Sequence, residues 1–276
     1  MSEGKNFFEL LSPKSALIVG ITSGVLVLCT IGFLVMVGMY ASGNLAKGDS
    51  SNKVTVETGD NTAPVPSVTK SDKPVVELFI MSYCPYGLQM QKAYLPAYQL
   101  LKDKADISVK FVSYAMHEKK EIDENTRQYC MQNESVSKYL QYLTCFLDKG
   151  DNASCELAAG FSKSQISNCV ATADKKFGIT AKYNDQASWL SGRYPIYPLH
   201  SDLNTKYGVQ GSPTLIINGA EASVNRTPEA VKSAICAAFN NPPAECKTTL
   251  SSASFSAGFG MTATAAATAP AADCGN

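Results

Sequence analysis

In the stretch Met81-Ser82-Tyr83-Cys84-Pro85-Tyr86-Gly87, a cysteine stands where a β-branched and aromatic run gives way to a helical pattern. A thiol at a helix start meets unpaired backbone N–H groups and the positive end of the helix dipole. Both favour the thiolate, so Cys84 is expected to ionise below the free-thiol value of about 8.5 and to serve as a nucleophile at neutral pH. Pro85 suits the first helical position, where no N–H is needed, and Tyr86 offers an apolar face beside the sulfur. The position three residues after the cysteine is Gly87, so the motif carries one thiol.

The chain has nine cysteines: Cys29, Cys84, Cys130, Cys145, Cys155, Cys169, Cys236, Cys246 and Cys274. No two have C-x-x-C spacing, and His117 and His200 are its only histidines, so neither a metal site nor a cofactor is expected. Such density suggests disulfides and hence an oxidising compartment. Cys130, Cys145, Cys155 and Cys169 permit three pairings, of which we favour the nested one. Cys145 and Cys155 flank the turn signal Lys149-Gly150-Asp151-Asn152, and an outer Cys130–Cys169 bridge would tie two antiparallel helices. Cys236 and Cys246 flank AAFNNPPAE and form a third candidate bridge. Cys84 and Cys274 are then left over. Cys274, near the chain end, is a candidate resolving thiol; an intermolecular bridge or no role at all are its other readings.

Around these residues the chain has a clear order. Residues 1–15 read as a short cytoplasmic tail, and 16–40 as a transmembrane signal-anchor, because ALIVGITSGVLVLCTIGFLVMVGMY carries no charge and is longer than a secretory apolar region. Residues 41–73 read as a flexible linker without aromatic residues, 74–247 as the folded domain, and 248–276 as a low-complexity C-terminal tail. The expected placement is single-pass in the cell membrane, with the domain extracytoplasmic. Lysine and arginine together number 24, as do aspartate and glutamate, so no net field attracts nucleic acid.

Within the domain, VVELFIM (75–81) and ISVKFVSY (107–114) read as strands, with a helix between them that should kink or break near Pro96. A helical insertion at about 119–190 follows. TLIING (214–219), a turn, a short EASV strand and a helix capped by Thr227 with Pro228 at its first position complete the pattern.

This order, with Cys84-Pro85-Tyr86-Gly87 after the first strand and Tyr207-Gly208-Val209-Gln210-Gly211-Ser212-Pro213-Thr214 before the third, resembles the thioredoxin-like superfamily. The long helical insertion looks most like the DsbA-type oxidoreductases and the lysosomal thiol reductases. The fold expected is α/β, thioredoxin-like with a helical insertion, preceded by one transmembrane helix. The resemblance implies that Pro213 follows a cis bond facing Cys84, and that Ser212, Pro213 and Thr214 bind an extended, cysteine-containing protein substrate. It also implies a thiol-disulfide oxidoreductase or isomerase. In dithiol relatives a second cysteine releases the substrate; with Gly87 in its place the adduct on Cys84 needs another thiol, from a redox partner, a low-molecular-weight thiol or the substrate itself. The alternative is a catalytically degenerate binding module on the same fold.

Overall fold

The run VVELFI folds as β1 (Val75–Ile80) and is buried from its second residue onward. β2 (Asp106–Phe111) pairs parallel to it, and β3 (Thr214–Ile217) pairs antiparallel on its other side. β4 (Ala220–Glu221) completes the sheet, giving the order β2-β1-β3-β4. A strand paired on both edges and covered on both faces needs mostly apolar residues, and the sequence supplies them except at Glu77, whose carboxylate faces Lys110 at 3.7 Å.

The computed structural model describes residues 29–30, 69–264 and 274. The chain forms two compact units, 1–62 and 63–276. In the first, only the helical and exposed Cys29 and Thr30 are described. The expected tail, the rest of the expected anchor and most of the expected linker therefore lie outside the described residues. Among the described residues no helix is long and apolar enough to cross a membrane.

Helix α1 (Pro85–Leu101) connects β1 to β2 and runs through Pro96 without a break. Tyr94, Ala97, Tyr98 and Leu101 are buried on either side of the proline, and this packing offsets its missing hydrogen bond. The insertion consists of α2 (Glu118–Glu134), α3 (Val136–Lys149), α4 (Asn152–Ala158), α5 (Lys163–Phe177) and α6 (Ile179–Asn184). α7 (Ser201–Tyr207) leads back toward β3, and α8 (Pro228–Ala237) packs beside α1, with the Thr227 side chain capping its start.

β2 ends at Phe111, earlier than the alternation predicts. The Asn204 side chain accepts the Ser113 N–H at 3.2 Å, and the Ser113 carbonyl accepts the Tyr197 N–H at 2.8 Å, so loop partners take over from the ladder. β4 is likewise shorter than EASV, with a last sheet bond from the Ala222 N–H to the Leu215 carbonyl.

Residues 248–264 differ most from expectation. Composition marks them as a low-complexity tail, yet they lie across the first turns of α1 as a strap that includes the paired strands β5 (Ser254–Phe255) and β6 (Ala263–Thr264). The buried Lys92 donates from Nζ to the carbonyls of Ser256, Gly258 and Gly260 at 2.7–2.8 Å. Gln89 donates to the Phe255 carbonyl, the Gly258 N–H donates to the Pro85 carbonyl, and the Phe259 ring stands edge-on to Tyr83 and Phe146. The folded unit thus extends well past Lys247.

His200 lies under the sheet, stacked on Phe111 and edge-on to Tyr129, and its Nδ1 accepts the Phe111 N–H at 3.1 Å. Burial, aided by the Lys110 charge, lowers its pKa from 6.5 to about 3. Below its ordinary pKa the unfolded chain takes a proton that the folded chain refuses. This part of the stability is therefore complete above pH 6.5, declines as the pH falls toward about 3, and is constant below that. In urea titrations from about pH 7 to about pH 4, His200→Gln should flatten the wild-type decline by on the order of a few kcal/mol. Parallel profiles would assign the acid sensitivity to other groups.

Candidate functional site

Cys84 is the N-cap of α1. Its backbone is extended, and its sulfur accepts the Gly87 N–H at 3.4 Å. Pro85 occupies the first helical turn as expected, so the sulfur takes the one N–H of that turn that reaches it, that of Gly87. The turn before it is held from the insertion. The buried Glu121 carboxylate accepts the Tyr83 N–H at 3.0 Å on one oxygen and the N–H groups of Met116 and His117 at 2.8 and 3.1 Å on the other. Asn125, one helical turn later, accepts the Ser82 N–H at 3.1 Å. His117 does not reach the sulfur; it heads α2 and bonds Glu121 through Nδ1 at 2.9 Å.

The segment before β3 faces Cys84. The Ser212–Pro213 peptide is cis, and the Ser212 carbonyl oxygen lies 3.4 Å from the Cys84 sulfur. Ser212 is fully buried, and its hydroxyl accepts the Met81 N–H at 2.9 Å, joining the two motifs. The Thr214 hydroxyl turns back to the Gly211 carbonyl at 3.0 Å. Phe79, Met81, Val112, Tyr114, Val209 and Ile216 form the apolar bed beneath the site. Tyr86 packs against that bed, half-buried, with the Arg226 guanidinium over its ring.

Gly87 has a steric explanation. A Cβ on it would lie 2.6 Å from the Ser212 hydroxyl and 3.0 Å from the Met81 carbonyl oxygen. The room a second sulfur would need is taken by Ser212. Gly87→Ala should therefore cost about 1–3 kcal/mol, as overpacking does, and displace the segment opposite Cys84. Ser212→Ala removes the closer obstacle, so the double substitution should be less damaging than the sum of the two singles. Additive losses in denaturation midpoint would show that the two positions do not press on each other.

Four disulfides join described residues: Cys84–Cys274, Cys130–Cys169, Cys145–Cys155 and Cys236–Cys246. Cys29 is free and exposed. The first bridge brings the end of the chain to the site, 190 positions from Cys84. No group of His, Cys, Asp or Glu among the described residues is arranged to hold a metal ion.

No family model matches the chain, and no curated protein does. Solved structures do. A reduced disulfide-bond oxidoreductase, DsbG, from Mycobacterium tuberculosis is 17% identical, with a TM-score of 0.44 over 65% of this chain and 87% of that one. Reduced DsbA from the same organism is 18% identical, with a TM-score of 0.44 over 65% and 92%. BdbD from Bacillus subtilis is 18% identical, with a TM-score of 0.38 over 62% and 90%. The chain's own strand order, its helical block between β2 and β3, and the cysteine–proline pairing across the sheet end decide the fold. It is a thioredoxin-like α/β fold with a helical insertion.

In this thioredoxin-like domain, Cys84, Pro85, Tyr86, Gly87, Ser212 and Pro213 converge at one end of the sheet, and Cys274 joins them. Glu121, Asn125 and Lys92 escaped the sequence reading. The spacing of Glu121, Asn125 and Gln128 was the available signal, since it puts polar residues on one face of a helix that has to pack.

Proposed function

We propose that the chain is a membrane-anchored, extracytoplasmic thiol-disulfide oxidoreductase or isomerase acting on protein disulfides, with Cys84 as the attacking thiol. One observation carries this reading. Cys84 caps α1 with its sulfur toward the N–H of Gly87, directly opposite Ser212-Pro213, and is engaged with another cysteine in a disulfide. Donors and dipole at that position stabilise the thiolate both as nucleophile and as leaving group. The exposed substrate would be an extended, cysteine-bearing polypeptide pairing with the backbone of Ser212, and electrons would pass to or from a redox partner or a low-molecular-weight thiol. The uncharged run 16–40 supports an anchor, and four bridges among nine cysteines support an oxidising compartment.

The test is recovery of native disulfides in a scrambled model protein, in a glutathione buffer, with the full chain added. Acceleration that rises in proportion to the chain's concentration supports the enzyme. A rate equal to that of buffer alone favours the binding module and removes catalysis from the reading. Membrane pellets washed with alkaline carbonate should retain the chain if 16–40 spans the bilayer, and release it otherwise.

A further inference from the structure

We propose that Cys274 is the second redox cysteine of this site, its backbone docked on the same edge that takes the polypeptide substrate, so that Cys274 and substrate displace each other. This rests on the exchange reading of Cys84.

Three independent features lead here. First, the usual place for a partner sulfur is closed, since even a methyl group at Gly87 would collide with the Ser212 hydroxyl at 2.6 Å. Second, Cys274 is docked by its backbone as well as by its sulfur. Its N–H donates to the Ser212 carbonyl at 2.7 Å, and its carbonyl accepts the Ser212 N–H at 2.9 Å, a two-bond antiparallel bridge. A bridge that merely staples a chain end needs no such pairing, whereas an extended peptide added to a sheet edge is bound in this way. Cys274 also packs, half-buried, against the apolar bed beneath Cys84.

Third, the strap sets the length of the leash. Lys92 holds the carbonyls of Ser256, Gly258 and Gly260, the Gly260 N–H donates to the Leu147 carbonyl at 2.9 Å, and the Met261 N–H donates to Asp148 at 3.2 Å. Only residues 265–273 separate the last described strap residue, Thr264, from Cys274. That length of chain reaches roughly 30 Å at full extension, so a released Cys274 thiol stays at an effective concentration in the millimolar range.

The exchange balances without any further component. A substrate thiolate attacks the Cys84 sulfur, the Cys84–Cys274 bond breaks, and Cys274 departs as a thiolate. A second substrate thiolate attacks the substrate sulfur of the mixed disulfide, closing the substrate disulfide and releasing Cys84 as a thiolate. Two electrons pass from the substrate dithiol to the cysteine pair, and thiol protons exchange with solvent. In reverse, Cys84 attacks a substrate disulfide, and Cys274 then attacks Cys84, expels the second substrate sulfur and retakes the edge beside Ser212.

The test uses the full chain, reduced mildly so that the other three bridges persist by mass, and mixed with insulin as the disulfide-bearing polypeptide. The wild type should release insulin chains and regain the Cys84–Cys274 linkage, seen in non-reducing digests. Cys274→Ser should accumulate the Cys84–insulin adduct on the order of tenfold or more above the wild-type level, because it lacks the tethered thiol. Equal adduct in both chains would overturn the role of Cys274 while leaving Cys84 as an exchange thiol. Absence of adduct from both would remove the exchange reading itself, and the proposal with it.

Discussion

Cys84→Ser should reduce the chain's exchange activity to the rate of buffer alone, while Cys274→Ser should leave Cys84 able to attack and to form adducts. The two substitutions should nevertheless lower stability by the same amount, since each removes the same bridge. That bridge spans 190 positions, and closing so long a loop restricts the unfolded chain by about 2–5 kcal/mol. Thermal denaturation should therefore give two superimposed curves below that of the oxidised wild type, all converging once the wild type is reduced at this bridge. Activity separates what stability does not. A hydroxyl at position 84 lacks the thiolate's nucleophilicity even with the N–H groups of the first turn of α1 in place, whereas position 274 contributes only after the first attack. Exchange by Cys84→Ser at the wild-type rate would place the reactive thiol elsewhere in the chain.

The second large effect is expected at Glu121. Its carboxylate, fully buried, accepts the backbone N–H groups of Tyr83, Met116 and His117, and the Nδ1 of His117 lies within hydrogen-bonding distance. Glu121→Ala strands three part-buried backbone donors and should destabilise the domain by about 2–4 kcal/mol. It should also release the turn that sets Cys84 at the head of α1. The reduced variant should accordingly show a Cys84 thiol titrating closer to the ordinary value of about 8.5 than the wild type does. Glu121→Gln keeps one acceptor oxygen and turns an amide N–H toward the remaining donors, so it should fall between the two. Loss of stability with an unchanged Cys84 titration would make Glu121 a structural residue only.

The parts of the site legible in the sequence were those whose signals are local. A β-branched run ending at Cys84-Pro85 defines β1 and the start of α1 because strand propensity and helix-start chemistry act within a few residues. Ser212-Pro213-Thr214 stands out through its resemblance to the second motif of the thioredoxin-like superfamily, since a proline in a turn before a strand is a weak signal by itself. Cys145 and Cys155, ten positions apart across a turn, are also within reach of such reasoning. The missed features are long-range or run against pattern. Nothing local to α2 says what Glu121, Glu124, Asn125 and Gln128 are buried against, since their partners lie in the turn before Cys84 and in α3. The strap has no apolar periodicity to detect, since Lys92 and Gln89 hold it largely by its backbone carbonyls, which every residue possesses. Nothing local to Gly87 discloses that Ser212 fills the space beside it.

The most direct test of the account is the pH dependence of Cys84 alkylation in the full chain reduced at the Cys84–Cys274 bridge, with Cys84→Ser as the blank. The account predicts a thiolate titrating well below the free-thiol value of about 8.5, an advantage lost on unfolding in urea. Titration at or above that value in the folded chain would contradict it, because the head of α1 would then confer no activation on the sulfur it faces.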